Sequence, residues 1–200
     1  TNAYDLLRYD MFVLPSASLI ARRAFEAVGG FDPQFMGYED DDLFMRMFRR
    51  GFTNYFVSRP VTVWCMNTAS TSYSIRMIRS RFRYFKKLVA TYPDDASKAR
   101  FYLRDLLIPR FHRLFVADAY NAIVCEIPER DERLKPYTSE LLGILEDYGE
   151  IVNASKWVPL SFKWRLGLLR RILATKSPLL VRTARRLSRF VRRDGGTGSA

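Results

Sequence analysis

Residues 29–46 read GGFDPQFMGYEDDDLFMR and join a glycine turn to a run of four acids. The paired glycines end a short helical pattern over residues 22–28, because glycine tolerates the left-handed conformation at a helix C-terminus. Apolar residues then recur on one face between Asp40 and Arg50, and this spacing predicts a second helix. The acids fall in its first turn, where the helix dipole and free N–H groups favour negative charge.

Strand patterns flank this stretch, and helical patterns follow it. Residues 11–21 are apolar and β-branched, and residues 52–58 and 61–65 alternate, so three strands are predicted. Beyond residue 72 the spacing is helical, with prolines near the breaks. The predicted helices cover residues 74–91, 96–124, 134–148 and 162–191, and Pro178 is expected to divide the last stretch into two helices. The expected fold class is therefore α/β in residues 1–75, followed by a mainly helical region.

Composition restricts the classes of protein to consider. An apolar fraction of 48% in 200 residues excludes wholesale disorder. The net charge of +12 is uneven, since residues 151–200 carry 12 basic side chains and one acid. The two cysteines, Cys65 and Cys125, are too few for a disulfide framework and indicate thiols in a reducing compartment. No signal peptide and no membrane-spanning run is evident.

Two interpretations of the acidic run remain open. In the first, it only begins a helix, and Asp42 pairs with Arg46 one turn later. In the second, the turn, Tyr38 and the acids form the rim of a pocket, where a carboxylate takes a proton from an attacking hydroxyl group. Neighbouring carboxylates disfavour one another's ionisation, which suits a base working near neutral pH.

Several spaced elements resemble the acceptor-site motif of the family 2 glycosyltransferases, which are inverting enzymes with the GT-A fold. The matching residues, in chain order, are Ala17-Ser18, Arg22-Arg23, Val28-Gly29-Gly30-Phe31-Asp32, Glu39-Asp40-Asp41-Asp42-Leu43, Arg46 and Gly51-Phe52. The run from Gly37 to Asp42 is also similar to the core motif of the family 7 galactosyltransferases. The resemblance covers residues ~10–90 and implies the C-terminal half of a GT-A type domain, followed by a helical extension.

The resemblance implies a role for each matched residue. Asp40 is the expected catalytic base, which deprotonates an acceptor hydroxyl for attack on a nucleotide-activated sugar with inversion. Glu39 is expected to bind acceptor hydroxyls, and Tyr38 either stacks on a sugar ring or packs in the loop. Asp32 is expected to fix the loop. The full set of predicted substrate-binding residues is Gly37, Tyr38, Glu39, Asp41, Arg79 and Arg81.

The family's donor-binding half and its metal motif are not found in this sequence. A divalent metal ion (Mg²⁺ or Mn²⁺) is expected for the complete enzyme, with ligands outside this chain, and no metal ligand is predicted within it. The pair Asp94-Asp95 is interpreted as a helix N-cap, and the lone His112 as a packing or surface residue. The chain is therefore expected to be part of a larger transferase and to be inert alone.

Two stretches are strongly basic. Residues 76–87 carry six cations, which form either a solvated face or, through Arg79 or Arg81, a contact with donor phosphate. Residues 162–193 interleave cations with apolar and aromatic residues at helical spacing. That pattern suits an anionic membrane surface, with packing on the protein's own core as the alternative. Nucleic acid is the least favoured partner, because it rests on charge alone.

Together these observations predict a glycosyltransferase that uses a nucleotide-sugar donor and a glycan or lipid-linked acceptor. It is expected to be cytoplasmic and peripheral at the inner face of the membrane. The alternative is a non-catalytic basic helical module that binds an anionic membrane or a protein partner. The predicted regions are an acceptor-site half (1–75), a helical region (76–155), basic amphipathic helices (156–193) and a disordered tail (194–200).

Overall fold

The computed structural model describes residues 7–9, 13–63 and 74–185, and these residues are mainly helical. The α-helices are α1 (Arg22–Ala27), α2 (Glu39–Arg49), α3 (Ile75–Thr91), α4 (Ile108–Val124), α5 (Pro128–Asp131), α6 (Thr138–Ala154), α7 (Leu160–Ala174) and α8 (which includes residues 178–185). Short 3₁₀ turns occur at Pro15–Ala17, Ala96–Lys98 and Lys135–Tyr137, and a π-helical turn, Leu103–Leu107, precedes α4.

The chain divides into two compact units, Thr1–Arg113 and Leu114–Ala200. The first contains α1 to α3 and the start of α4. The second contains the rest of α4 and α5 to α8.

The core of the first unit is aromatic and centres on α3. Ser74 caps this helix by accepting a hydrogen bond from the Met77 amide at 3.4 Å. Phe85 on α3 is fully buried, and its ring lies 5.5 Å from that of Phe111. Leu43, on the apolar face of α2, is also fully buried. Helix α2 is therefore held in the unit through its apolar face. The acids of its first turn are left to form the contacts of the candidate site.

The core of the second unit lies between α6 and α7. Leu141, Leu145 and Tyr148 repeat at helical spacing on α6 and are almost fully buried. They pack with α7, which buries Leu166 and Leu173. One side of α7 is therefore buried by this apolar contact with α6.

The predicted α/β fold class, the C-terminal half of a GT-A type domain, is wrong for the described residues. No sheet forms among them, and the one β-bridge is isolated, between Asp95 and Arg100. Residues 13–20 contain a 3₁₀ turn, while residues 52–63 are without helix or strand. An alternating pattern becomes a strand only when a partner satisfies its N–H and C=O groups, and the described residues supply none for this segment. Residues 11–12 and 64–65 of the predicted strands lie outside the described part.

The exposure of residues 52–63 shows why the alternating pattern misled the prediction. Tyr55 is 92% exposed, Phe56 83% and Val63 86%. Alternation predicts a strand because one face is expected to be buried. Here neighbouring residues on both sides of the backbone face solvent. Burial of an apolar face therefore does not favour pairing of this segment with another strand.

The helical predictions are largely confirmed. Helices α1, α2 and α3 lie within a residue or so of the predicted bounds, and a break precedes α8 at Pro178. The single helix predicted over residues 96–124 is instead interrupted. Asp95 caps a 3₁₀ turn by accepting from the amides of Ser97 and Lys98, as the N-cap interpretation requires, and Ala99 then has a positive φ of 51°. A left-handed residue cannot continue a helix, so the chain restarts before α4.

No described helix is both long enough and apolar enough to cross a bilayer.

Replacing Leu43 by alanine tests the packing of α2. We expect Leu43→Ala to lower the free energy of unfolding by about 2–5 kcal/mol, because the side chain is fully buried and leaves a cavity. Leu19 is fully exposed in the same unit, so Leu19→Ala is the matched control and should change stability by less than about 0.5 kcal/mol. Urea denaturation followed by circular dichroism measures both. Equal effects of the two variants would contradict the burial of α2.

Candidate functional site

The loop before α2 is held in place by a residue from within that helix. Arg46 donates from Nη1 to the carbonyl oxygen of Val28 at 2.5 Å and from Nη2 to that of Gly30 at 2.7 Å. Gly29 and Gly30 have positive φ angles of 78° and 69°, which glycine adopts without strain. The glycine turn and the helix are thus joined through one guanidinium group.

A second tight turn places the acids at the start of α2. Gly37 has φ 117° and Tyr38 has φ 63°, so two consecutive residues have positive φ. The Gly37 amide donates to Glu39 Oε2 at 2.5 Å. A Cβ at Gly37 would lie 2.7 Å from Met77 Sδ and 3.3 Å from the Met77 Cα. Glycine is therefore required here by both conformation and space, and Glu39 closes the turn.

Asp42 forms the buried centre of the site. Its side chain is 3% exposed, and its two oxygens bind Arg46 Nε at 2.8 Å and Lys87 Nζ at 2.6 Å. Lys87, on α3, also bonds Asp32 Oδ2 at 2.9 Å. A buried carboxylate needs such partners, because desolvation of the charge is costly. The predicted Asp42–Arg46 pair and the predicted role of Asp32 in fixing the loop are both confirmed.

Asp41 is bound from the start of α4. Arg110 Nη2 lies 2.8 Å from Asp41 Oδ1, and the arginine side chain is 2% exposed. Tyr84 donates its hydroxyl proton to the Asp41 carbonyl at 3.4 Å. Burial raises the pKa of Tyr84 above its ordinary value, which keeps that donor protonated. Asp41 therefore helps to fix α2 against α3 and α4.

Asp40 has a different environment from Asp41 and Asp42. It is half-buried at the N-terminus of α2, and its Oδ1 accepts from the Asp41 amide at 2.9 Å. That bond lies within the same turn and leaves the carboxylate at the helix end, where the dipole stabilises its charge.

The ring of Tyr38 is part of the packing. It is 8% exposed, and its centroid lies 5.5 Å from that of Tyr84 and 6.4 Å from that of Phe111. Arg81 donates from Nε to the Tyr38 hydroxyl at 3.1 Å, and its guanidinium carbon lies 5.8 Å from the ring centroid. Of the two roles considered for Tyr38, the structure favours packing over stacking on a sugar.

The structure brings together most of the predicted site residues. Arg81 reaches Tyr38, and Gly37 contacts Glu39. Arg79 is half-buried on α3, two residues before Arg81. Since successive helical residues are about 100° apart, these two arginines leave α3 on nearly opposite sides. They do not act as one phosphate clamp from this helix.

Asp41 and Asp42 do not fit a divalent metal ion, because cationic side chains already bind them. Arg46 and Lys87 bind both oxygens of Asp42, and Arg110 binds Asp41. Within the described ranges, no group of three or more His, Cys, Asp or Glu side chains is arranged to hold a metal. No step of the proposed chemistry is therefore assigned to a metal held by these residues.

Three structural residues of the site were not predicted. Lys87 lay in a stretch interpreted as a solvated face or a phosphate contact, and Arg110 in a helix with no assigned role. Ser80 is fully buried and accepts from the Met36 amide at 2.9 Å. The helical spacing of α3 places Ser80 one turn before the buried Tyr84, on the same side of the helix. No local signal connects Arg110 with Asp41.

Comparison with protein-family models, curated proteins and solved structures gave no match to this chain. The proposal of a function therefore rests on the order of the motif and on the geometry of the site.

Replacing Gly37 by alanine tests the turn before α2. We expect Gly37→Ala to lower the free energy of unfolding by about 1–3 kcal/mol, because φ 117° is strained for alanine and Met77 must move. Gly143, inside α6 with open space around it, is the matched control. Gly143→Ala should raise stability by about 0.4–1 kcal/mol. Thermal denaturation distinguishes the two, and a stabilising Gly37→Ala would contradict the described turn.

The pH dependence of stability tests the Asp32–Lys87 contact. Partial burial acts to raise the pKa of Asp32, but hydrogen bonds from Lys87 and Gln34 outweigh it and lower the pKa from 3.8 to about 2. Because the folded state has the lower pKa, this stabilisation is full above pH 3.8 and disappears as the pH falls through about 2.

We therefore expect Asp32→Asn to be less stable than wild type at neutral pH and to lose stability less steeply between pH 3.8 and about 2. Urea denaturation at a series of pH values measures both effects. The control is Asp105→Asn, because Asp105 is exposed and bonds the adjacent Arg104. Identical pH slopes for wild type and Asp32→Asn would show that the contact does not stabilise the fold.

Proposed function

We propose that this chain contributes the acceptor site of an inverting glycosyltransferase in which Asp40 is the general base. The observation that carries the proposal is the place of Asp40, which is half-buried in the first turn of α2. Asp41 and Asp42 bind cations from other helices, and Glu39 closes the turn at Gly37. The Oδ1 atom of Asp40 accepts a hydrogen bond from the Asp41 amide at the N-terminus of α2. The motif order assigns the base to this same position.

The proposed reaction places the acceptor hydroxyl against an oxygen of Asp40. The carboxylate takes the proton while the hydroxyl oxygen forms a bond to the anomeric carbon of a nucleotide sugar. The nucleoside diphosphate leaves from the opposite side with the electron pair of the broken bond, so the configuration inverts. The N-terminus of α2 favours the ionised carboxylate, which is the form a base requires.

The remaining residues support this geometry in different ways. Glu39 is proposed to contact acceptor hydroxyl groups, next to the base. Tyr38 and Arg81 are proposed to act as positioning residues, because they are buried together beneath the loop. A divalent metal ion is expected to screen the leaving diphosphate in the complete enzyme, and its ligands are proposed to lie outside this chain.

We also propose that the protein works in the cytoplasm, peripherally at the inner face of the membrane, on a glycan or lipid-linked acceptor. The basic helices of the second unit support this location. The same helices support a second candidate function, a non-catalytic module that binds an anionic membrane or a protein partner. In that case the acids serve only to begin α2 and to anchor it.

Asp40→Asn tests the proposed base in the full-length natural protein. Transfer from a panel of radiolabelled UDP-, GDP- and dTDP-sugars to membrane glycolipids and oligosaccharides is measured, together with nucleotide-sugar binding by calorimetry. We expect transfer to fall by about 10²- to 10⁴-fold with binding unchanged, because only proton removal is lost.

Asp105→Asn is the matched control, since Asp105 is an exposed acid of the same unit. It should transfer sugar at the wild-type rate. Wild-type turnover by Asp40→Asn would remove Asp40 from the mechanism. If the wild-type protein transfers no sugar from any donor, the non-catalytic module is favoured instead.

A further inference from the structure

Helix α7 carries two apolar faces, and only one of them is buried by other residues that the structure describes in the second unit. Leu166 and Leu173 are buried on the side that packs with α6. On the other side, Leu160 is 80% exposed, Trp164 72% and Leu168 46%. Because these three residues are four apart, they form a continuous line along the helix, here called the outer ridge. At 1.5 Å per residue the outer ridge is about 12 Å long.

The cations of α7 also fall into two groups: some bind other parts of the second unit, and others are exposed. Lys163 donates to the carbonyl oxygens of Asn153 and Ser155, and Arg170 binds Glu146 and Glu150, so both serve the unit's own structure. Arg165 and Arg171 are exposed instead. Arg165 bonds only a carbonyl of its own helix among the described residues, and neither forms an ion pair with an acid there.

These two free cations flank the outer ridge. Arg165 follows Trp164 directly, about 100° further around the helix, and Arg171 lies one turn beyond Leu168 on the same side. Residues 151–193 include no Asp or Glu. The surface of α7 around the outer ridge is therefore apolar at its centre and carries cations but no acid at its margin.

We propose that the outer ridge is the surface through which the protein docks on an anionic lipid bilayer. A helix with a tryptophan and leucines on one side and arginines beside them lies in the plane of the membrane interface, with its apolar residues at the boundary between headgroups and acyl chains. The arginines then reach lipid phosphates, and each cation near such a surface contributes about 1 kcal/mol.

Charge complementarity is what favours lipid as the occupant. A second copy of the chain would bring the same cations to the same place, where they repel. A bilayer of anionic lipids instead offers negative charge at every position along the ridge. The inference deepens the membrane location proposed above, and it is independent of sugar transfer because vesicle binding and turnover are measured separately.

Vesicle flotation with the full chain tests the proposal. Wild type is expected to bind vesicles of phosphatidylcholine with phosphatidylglycerol and to bind pure phosphatidylcholine vesicles much more weakly. Arg165→Ala with Arg171→Ala should weaken binding by about 30-fold, the equivalent of about 2 kcal/mol. Trp164→Ser with Leu168→Ser should weaken it by about tenfold or more, because apolar contact with the bilayer is lost.

Matched controls separate the ridge from general charge and hydrophobicity. Arg50→Ala with Arg59→Ala removes two exposed cations elsewhere, and Leu19→Ser with Tyr55→Ser removes two exposed apolar side chains. Both controls should bind like wild type. Circular dichroism checks that every variant keeps its helices.

Tryptophan fluorescence gives a second measurement that needs no change in the ridge. Trp64→Phe with Trp157→Phe leaves Trp164 as the only tryptophan of the three. Its emission should shift to shorter wavelength with anionic vesicles and be quenched by brominated lipid.

The proposal is overturned if the emission of Trp164 is unchanged by anionic vesicles that bind the protein. It is also overturned if the controls weaken binding as much as the ridge variants, or if neutral and anionic vesicles bind equally. A wild-type dimer in sedimentation analysis that becomes monomeric with Trp164→Ser would assign the ridge to a second copy of the chain.

Discussion

The first unit depends on one buried carboxylate and the two cations that bind it. Asp42 is desolvated at the start of α2, and without partners its charge would oppose folding. Arg46 and Lys87 supply those partners, and each then makes a second contact: Arg46 with the glycine turn, and Lys87 with Asp32. One charge thus aligns the loop, α2 and α3. Motif residues that also carry a catalytic interpretation therefore have a structural reason to occur together in this order.

The helices and the local contacts could be predicted from the sequence because their causes are local. Apolar spacing fixes α2 and α3, and the Asp42–Arg46 pair follows from a separation of four residues. Lys87 and Arg110 lie 45 and 69 residues from their partners Asp42 and Asp41. No periodicity connects such positions, since only the packing of α3 and α4 brings them there. The strand predictions failed for a related reason: pairing depends on a partner that the alternation of residues 52–63 cannot reveal.

In the basic second unit, folding pairs some of the cations with acids and aromatic rings of the same unit. The sequence places 12 cations in residues 151–200, and any of them could face solvent. In the structure, Arg170 binds two glutamates of α6, and Arg185 binds Glu126 and lies over the ring of Tyr120. Membrane binding and core packing were alternatives for this region, yet α7 has one apolar face that is buried and another that is exposed. Periodicity alone did not separate them, because leucine occurs on both faces.

The open segment 52–63 also has a consequence for how the chain behaves in solution. A stretch rich in aromatic and β-branched residues that pairs with no strand among the described residues has the composition of a segment to which other chains can add strands. Arg59 and Pro60 interrupt it in the middle, and the Arg59 amide turns back to the Val57 carbonyl at 2.8 Å. Proline cannot donate to a growing ladder, and arginine brings a charge to it. A proline and a charge at the centre of the segment are the kind of features that work against such pairing.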